Sequence, residues 1–371
     1  MGFPQALLEL LGAAVLAALI LLVLGSIYFE ATNSQMPAGL EQPARLRLIH
    51  AWRIGAAVLG RILENLHLCS QVRFVRFVRS AWRKRRDPAL RIQDAAFEGI
   101  PVRLYLPKAP SAAGPRKGIV YFHGGGWLFG SLGSQEPLCC YLARESDSVV
   151  VSVAYRLAPE HRHPAHLNDC LAASTHFMKV AQDYGVDSSQ AVDFNLPSYQ
   201  QNRAVPLLFR ERAAFYLLQR STGDASLLED LLEGSHIPMK LRAQYRKWLS
   251  VDPLRKEFKA RGHQPTSYLP PGGDVCEALQ SLTLPECSPL LEEEAVLSLL
   301  PETFILTCEY DVLRDDGLLY KKRLEDQRVL VTWRHLANGF HGILDFFERG
   351  WLGFPSGKKG VDDIVSFVKG L

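Results

Sequence analysis

Two short stretches hold residues whose types and spacing could do chemistry. In Gly118–Ser131, GIVYFHGGGWLFGS, the run Ile119–Phe122 leads straight into His123, Gly124, Gly125, Gly126 and Trp127. Such an apolar run reads as a short buried strand. Consecutive glycines at its end let bare backbone N–H groups approach a ligand, in dihedrals that other residues resist. Those are the requirements of an oxyanion hole, which stabilises the charge of a tetrahedral acyl-transfer intermediate. The second stretch, Asn338-Gly339-Phe340-His341-Gly342, follows the apolar run Val329–Leu336. It sets a histidine between glycines just past a strand, where an imidazole is well placed to be a general base. A loop histidine alone is more often incidental, and the glycine loop is what gives this one weight. Acyl transfer also needs a nucleophile, commonly a serine on a strained G-x-S-x-G turn. No G-x-S-x-G occurs in the 371 residues.

The elements that must position these residues are visible in outline. Arg91–Phe97 and Val102–Leu106 read as a hairpin turning near Glu98 and Gly99, and Gly118–Phe122 and Ser148–Ala154 as buried strands. A helix near Pro137–Glu145 joins the last two, a strand-helix-strand texture with a buried parallel sheet. Leu167–Asp183 reads as a helix, Thr303–Cys308 and Val329–Leu336 as strands, and Val361–Lys369 as a closing helix. Leu196–Pro301 is mostly helical by pattern, with Ser226–Glu233 and Met239–Leu249 as its clearest runs and a Pro- and Gly-rich break at Ser267–Asp274.

Composition narrows the function classes. With 47% hydrophobic and 22% charged residues the chain should fold, and 371 residues favour one large α/β domain with an insertion. A net charge of +3 is too small to argue for nucleic acid. Seven cysteines (Cys69, Cys139, Cys140, Cys170, Cys276, Cys287 and Cys308) are too scattered for a zinc cage and too few for a disulfide scaffold. One or two disulfides stay open if the chain faces an oxidising lumen. His161, His163 and His166 lack the spacing of a zinc helix or finger, and Pro164 interrupts them, so a structural role is expected and no metal or cofactor.

Leu10–Phe29 is twenty residues without a charge, enough at ~1.5 Å per residue to span ~30 Å of bilayer core as a helix. An anchor fits better than a cleaved signal peptide, because the apolar run is long and no basic segment precedes it. Arg45 and Arg47 after the run favour a cytosolic body by the positive-inside rule, and no N-x-[ST] sequon votes for the lumen. Arg73–Arg86, RFVRFVRSAWRKRR, interleaves basic residues with Phe74, Phe77 and Trp82. It reads either as an interfacial helix on anionic headgroups or as a solvated helix whose aromatics pack on the body.

Taken in order, HGGGW, the loop YRLAPEH…PA…DC (Tyr155–Cys170), CEYDVLRDDG (Cys308–Gly317) and NGFHG (Asn338–Gly342) resemble the hormone-sensitive-lipase branch of the α/β-hydrolases. With the N-terminal run, the whole chain is similar to the arylacetamide deacetylase-like family. The resemblance implies an α/β-hydrolase fold, a mostly parallel sheet with helices on both faces. Residues 1–30 would be a membrane signal-anchor, 31–88 a helical basic segment, and 89–371 the hydrolase domain with a helical lid over about 196–301. It implies Asp311 as the triad acid, His341 as the base, and Gly124, Gly125 and Gly126 as the oxyanion-hole loop. It also implies an apolar ester or amide substrate and an endoplasmic-reticulum membrane with the body in the lumen, which opposes the charge rule and outweighs it.

One departure governs what this chain can do. In the family, the helix ending in a segment like Asp183–Asp187 is followed by a strand, the elbow bearing the serine, a helix and another strand. Here Asp187 runs through Ser188, Ser189 and Gln190 into AVDFNLPSYQQN, which resembles the segment after the second of those strands. A few tens of residues are missing as a block, a clean joint that reads as a skipped exon or a mispredicted gene model. The lost strands belong in the middle of the sheet, beside the glycine-loop strand. At ~4.8 Å between neighbours, losing two leaves ~14 Å between the strands that flank them. The loss also takes the nucleophile and the amide after it, which supplies part of the oxyanion hole. Ser188 and Ser189 lack the flanking glycines of an elbow, and Ser131 and Ser134 stand on the wrong segment. The expectation is a hydrolase by family whose serine is absent, hence an inactive isoform. The alternative is a membrane-anchored binding protein that keeps an apolar pocket.

Overall fold

The computed structural model of the chain describes residues 3–34, 36–80, 87–109, 116–179, 198, 201–202, 204–259, 273–285 and 287–371. It divides into two compact units, Met1–Met36 with Gln42–Ala81, and Pro37–Glu41 with Trp82–Leu371.

Three helices make the first unit: α1 (Phe3–Asn33), α2 (Pro43–Asn65) and α3 (Gln71–Ser80). Pro43 opens α2, where its missing N–H costs nothing and its fixed φ suits the first turn. Buried His50 of α2 faces Glu30 of α1 at 3.6 Å, and the Gln71 side chain at the start of α3 donates to Ala57 O at 2.9 Å. The expected membrane span Leu10–Phe29 lies within α1, but among the described residues no helix is long and apolar enough to cross a membrane. The side chains of residues 10–12, 15 and 16 lie outside the described ones. Of the basic stretch Arg73–Arg86, α3 carries Arg73, Arg76 and Arg79, and residues 81–86 lie outside the described residues.

The second unit begins with a hairpin, β1 (Leu90–Phe97) and β2 (Ile100–Pro107), whose two turn residues, Glu98 and Gly99, both take positive φ, as a tight twisted hairpin requires. β3 (Gly118–Phe122), α4 (Glu136–Ser146) and β4 (Val149–Val153) follow as a crossover unit. The sheet runs β1-β2-β4-β3, with only the β3/β4 pair parallel. Every residue of β4, VVVSV, is buried because both of its faces are covered. Val150 points to Leu138, Cys139 and Leu142 of α4 and to Val361 and Val365 of the closing helix Pro355–Gly370. Val149, Val151 and Val153 point the other way, to Ala173 and Phe177 of α5 (Ala165–Lys179).

β5 (Thr303–Tyr310) and β6 (Val331–Phe340) form a separate parallel pair, joined by the helix Arg314–Asp326. That helix buries Leu318, Leu319 and Leu324 with Ile305 of β5 and with Leu218, Leu231 and Leu232 of the mostly helical segment before β5. Each fully buried leucine contributes about 1.5–3 kcal/mol. β6 continues through Phe340 instead of ending at Leu336. A bulge between Cys308 and Tyr310 carries the pairing on to Tyr310 and Phe340, so Asn338-Gly339 is strand rather than loop. The expected lid helix Met239–Leu249 ends at Gln244.

Among the described residues β3 pairs only with β4 and β5 only with β6, so the strands fall into two sheets. The closing helix serves both, with Val361 and Val365 in the first core and Phe367 5.3 Å from Phe304 of β5. The joint Asp187–Ala191 lies outside the described residues.

Candidate active site

Asp311 and His341 stand at the carboxyl ends of two neighbouring parallel strands, the place where open α/β sheets gather functional groups. Asp311 follows β5, and its carboxylate accepts from the Leu313 amide at 2.9 Å. His341 follows β6, held by Gly342 at φ 77°. Its Nδ1 lies 3.1 and 3.0 Å from the two Asp311 oxygens. An Nδ1–H donated to the carboxylate leaves Nε2 as the nitrogen that exchanges a proton, and it holds the ring in one orientation. The Asp311 side chain is 15% exposed and that of His341 38%, so the carboxylate is sheltered while the imidazole is open.

Two residues just past position 197 secure the turn at Asp311. Asn202 Nδ2 donates to Asp311 O at 2.9 Å and Glu309 O at 3.2 Å, Ser198 Oγ to Val312 O at 2.6 Å, and the Ser198 amide to Asp315 at 2.7 Å. Buried Arg314 completes the scaffold with Glu309 at 2.9 Å and Asp315 at 2.8 Å. Sequence reasoning did not single out Ser198 or Asn202. Polar residues in a polar run give no signal until the fold brings them to a carbonyl.

At the glycine loop the backbone needs what only glycine supplies. Gly125 has φ 135°, and a Cβ there would lie 2.3 Å from Phe129 O; Gly126 has φ 61°, and a Cβ there would lie 2.8 Å from the Tyr216 ring. Gly125 O accepts from the amides of Leu128 and Phe129 at 3.2 and 3.0 Å, which folds the loop back on itself. Neither the Gly125 nor the Gly126 amide donates to another group among the described residues, and Gly124 is exposed. Buried His123 anchors the start of the loop, its ring stacked 4.4 Å from that of Tyr155. Burial pushes the Tyr155 phenol up, so it stays protonated and donates to His123 O.

The YRLAPEH loop is tied down by Arg156, which pairs with Asp169 at 2.8 Å, and by Ala158, whose amide donates to Trp127 O at 2.9 Å. His166 is fully buried, 5.7 Å from both the Trp127 and His163 rings. Burial above all, then the Arg220 and His163 charges, bring its pKa down to about 3. Among the described residues no group of histidines, cysteines and carboxylates could hold a metal ion. Ser131 and Ser134 bond each other at 2.9–3.2 Å beyond the glycine loop.

The family pattern described as alpha/beta hydrolase fold matches residues 119–192 and 274–345. The chain is 40% identical to arylacetamide deacetylase-like 4 of Homo sapiens, over 93% of this chain and 95% of that protein. It is 36% identical to arylacetamide deacetylase-like 3 of Mus musculus, over 91% and 92%. An ester-hydrolase from the metagenome of Lake Arreo has the same fold, with a TM-score of 0.54 at 21% identity over 91% of this chain and 99% of that one. The alignment with the human relative runs over 390 residues, more than the 371 of this chain, so it includes residues of the relative that have no counterpart here.

Proposed function

The chain belongs to the arylacetamide deacetylase-like proteins of the α/β-hydrolase family, and from that premise we propose that it is a hydrolase-derived protein that has lost its nucleophile and does not turn over esters or amides. One observation carries this reading: an acid–base pair and a glycine loop are present while no G-x-S-x-G exists in the sequence. In a relative with the elbow, the residue at His341 would take the serine proton as the oxygen attacks an ester or amide carbonyl. Asp311 would hold the imidazole in its tautomer and stabilise the imidazolium. The Gly125 and Gly126 amides would carry the oxyanion, and the imidazolium would then protonate the leaving group. In this chain the first step has no hydroxyl to start from. Ser198 is no substitute, because its hydroxyl is buried and donates to Val312 O.

The proposal extends to place. The uncharged run Leu10–Phe29 and the exposed Leu21, Leu22, Leu24 and Phe29 of α1 support attachment to a bilayer, since apolar side chains gathered on one element favour a nonpolar surrounding. By family the membrane is that of the endoplasmic reticulum, with the body in the lumen. Protease protection in sealed microsomes tests this, and a body digested from outside refutes the lumenal placement.

Fluorophosphonate labelling, read by peptide mass spectrometry, tests the loss of chemistry. This chain should take no label, and a version carrying a relative's elbow block should be labelled on the restored serine. A labelled residue in the present chain would overturn the proposal and name the nucleophile.

A further inference from the structure

Two of the buried guanidinium groups, Arg314 and Arg220, are of opposite kind. Arg314 is enclosed by its own counter-charges, Glu309 and Asp315, with Gln201 Oε1 at 2.9 Å and Phe258 O at 3.0 Å completing its donors. Arg220, at the end of the helix Arg210–Arg220, is 0% exposed and has no carboxylate partner among the described residues. Its guanidinium lies over the Trp127 ring at 4.3 Å, its Nη2 meets Cys287 Sγ, and its Nε and Nη1 have no hydrogen-bond partner. His163, whose amide donates to Arg220 O at 3.0 Å, brings its ring nitrogens to 3.6 and 3.9 Å from the same sulfur. His166 beside them brings no negative charge.

An arginine does not shed its proton inside a protein, and a buried charge is strongly unfavourable unless an opposite charge compensates it. Among the described residues, the group in contact with Arg220 that can become an anion is the Cys287 thiol, and a cation against a sulfur favours the thiolate. We propose that Cys287 is held as a thiolate by Arg220, with His163 beside it, and that it is a modification site for soft electrophiles such as α,β-unsaturated carbonyl compounds. The thiol proton passes to solvent. The sulfur then bonds to the electrophile's β-carbon, the alkene pair moves toward the carbonyl as an enolate, and the α-carbon takes a proton from water. No oxidant is needed. The inference does not depend on whether the chain hydrolyses anything.

The test is iodoacetamide alkylation of the full chain in detergent at pH 6.5, with every cysteine read by peptide mass spectrometry. An ordinary thiol near pKa 8.5 is only about 1% ionised there. Cys287, although buried, should label at least ~10-fold faster than the less buried Cys170 and Cys276. Arg220→Met should remove that lead and Arg220→Lys, which keeps a cation, should retain it. Cys139 is wholly buried and reports unfolding in the same digest. If Arg220→Met unfolds the chain, the parent and the Lys variant decide the matter. Cys287 reacting no faster than Cys276 in the parent, or keeping its lead in Arg220→Met while Cys139 stays protected, would overturn the proposal.

Discussion

The glycine loop and the Asp311–His341 pair stand on different sheets, and each is locally well made. The loop closes β3, turns on Gly125 and is braced by His123 and Tyr155. The pair closes β5 and β6 and is braced by Leu313, Asn202 and Arg314. The loop is held by residues of its own strand end and of the next strand's end, whereas the turn at Asp311 also draws on Ser198 and Asn202, more than a hundred residues away in sequence. Joining them is a different requirement, because a reacting carbonyl must lie ~3 Å from a nucleophile and from the oxyanion donors at once. On the proposed reading, the acid–base pair and the glycine loop are each intact while the nucleophile that would join them is absent from the sequence.

The sharpest way to break it is to insert a relative's elbow block between Asp187 and Ala191. In a restored chain, His341→Ala should cut ester turnover on the order of a million-fold, the scale at which a serine protease loses kcat without its base. Asp311→Asn should cost about ten-thousand-fold by the wrong tautomer. In the present chain neither change should alter the background rate of a chromogenic acetate ester. A drop in that rate would mean that the two halves already cooperate.

Stability separates the halves next. Arg314→Met leaves buried Asp315 without its cation and should cost about 3–5 kcal/mol, seen as faster amide exchange in residues 303–340 than in residues 118–153. Equal loosening of both would mean that the sheets unfold as one.

Acid should strain the glycine-loop half. The pKa of His166 is lowered to about 3, chiefly by burial. The unfolded chain therefore binds a proton from about pH 6.5 downward while the folded chain does not. Stability is fully present above about pH 6.5 and falls with pH toward about 3, by up to ~1.4 kcal/mol per unit. The urea midpoint should fall across that window, and His166→Phe should flatten the slope. An unchanged slope would show that His166 is protonated in the fold.

Smallest is Gly125→Ala. Its Cβ would meet Phe129 O at 2.3 Å in a φ that alanine resists, for a loss of about 1–3 kcal/mol in the urea midpoint with no effect on exchange at β5 and β6.

Much of this was legible in residues. Gly118–Phe122 is the strand that its apolar run predicts, and the Glu98–Gly99 turn sits where the hairpin pattern puts it, since both are set by neighbours in sequence. The end of β6 was not. Asn-Gly reads as a loop, and only pairing with Tyr310 across a bulge makes it strand. The pairing of Asp311 with His341 could be expected from motif order, but the turn held by Asn202 and Ser198 could not, because those hydrogen bonds cross more than a hundred residues.

By itself the sequence determined which chemical parts the chain owns and which it lacks: three glycines, a histidine, an aspartate, and no elbow serine. Those are facts of composition and order that no fold can change. Only the tertiary structure decided that the strands stand as two sheets, and that Arg220 is buried against a sulfur instead of a carboxylate. The physical reason is that strand pairing and the compensation of a buried charge depend on what packs nearby, and those partners are scattered along the chain.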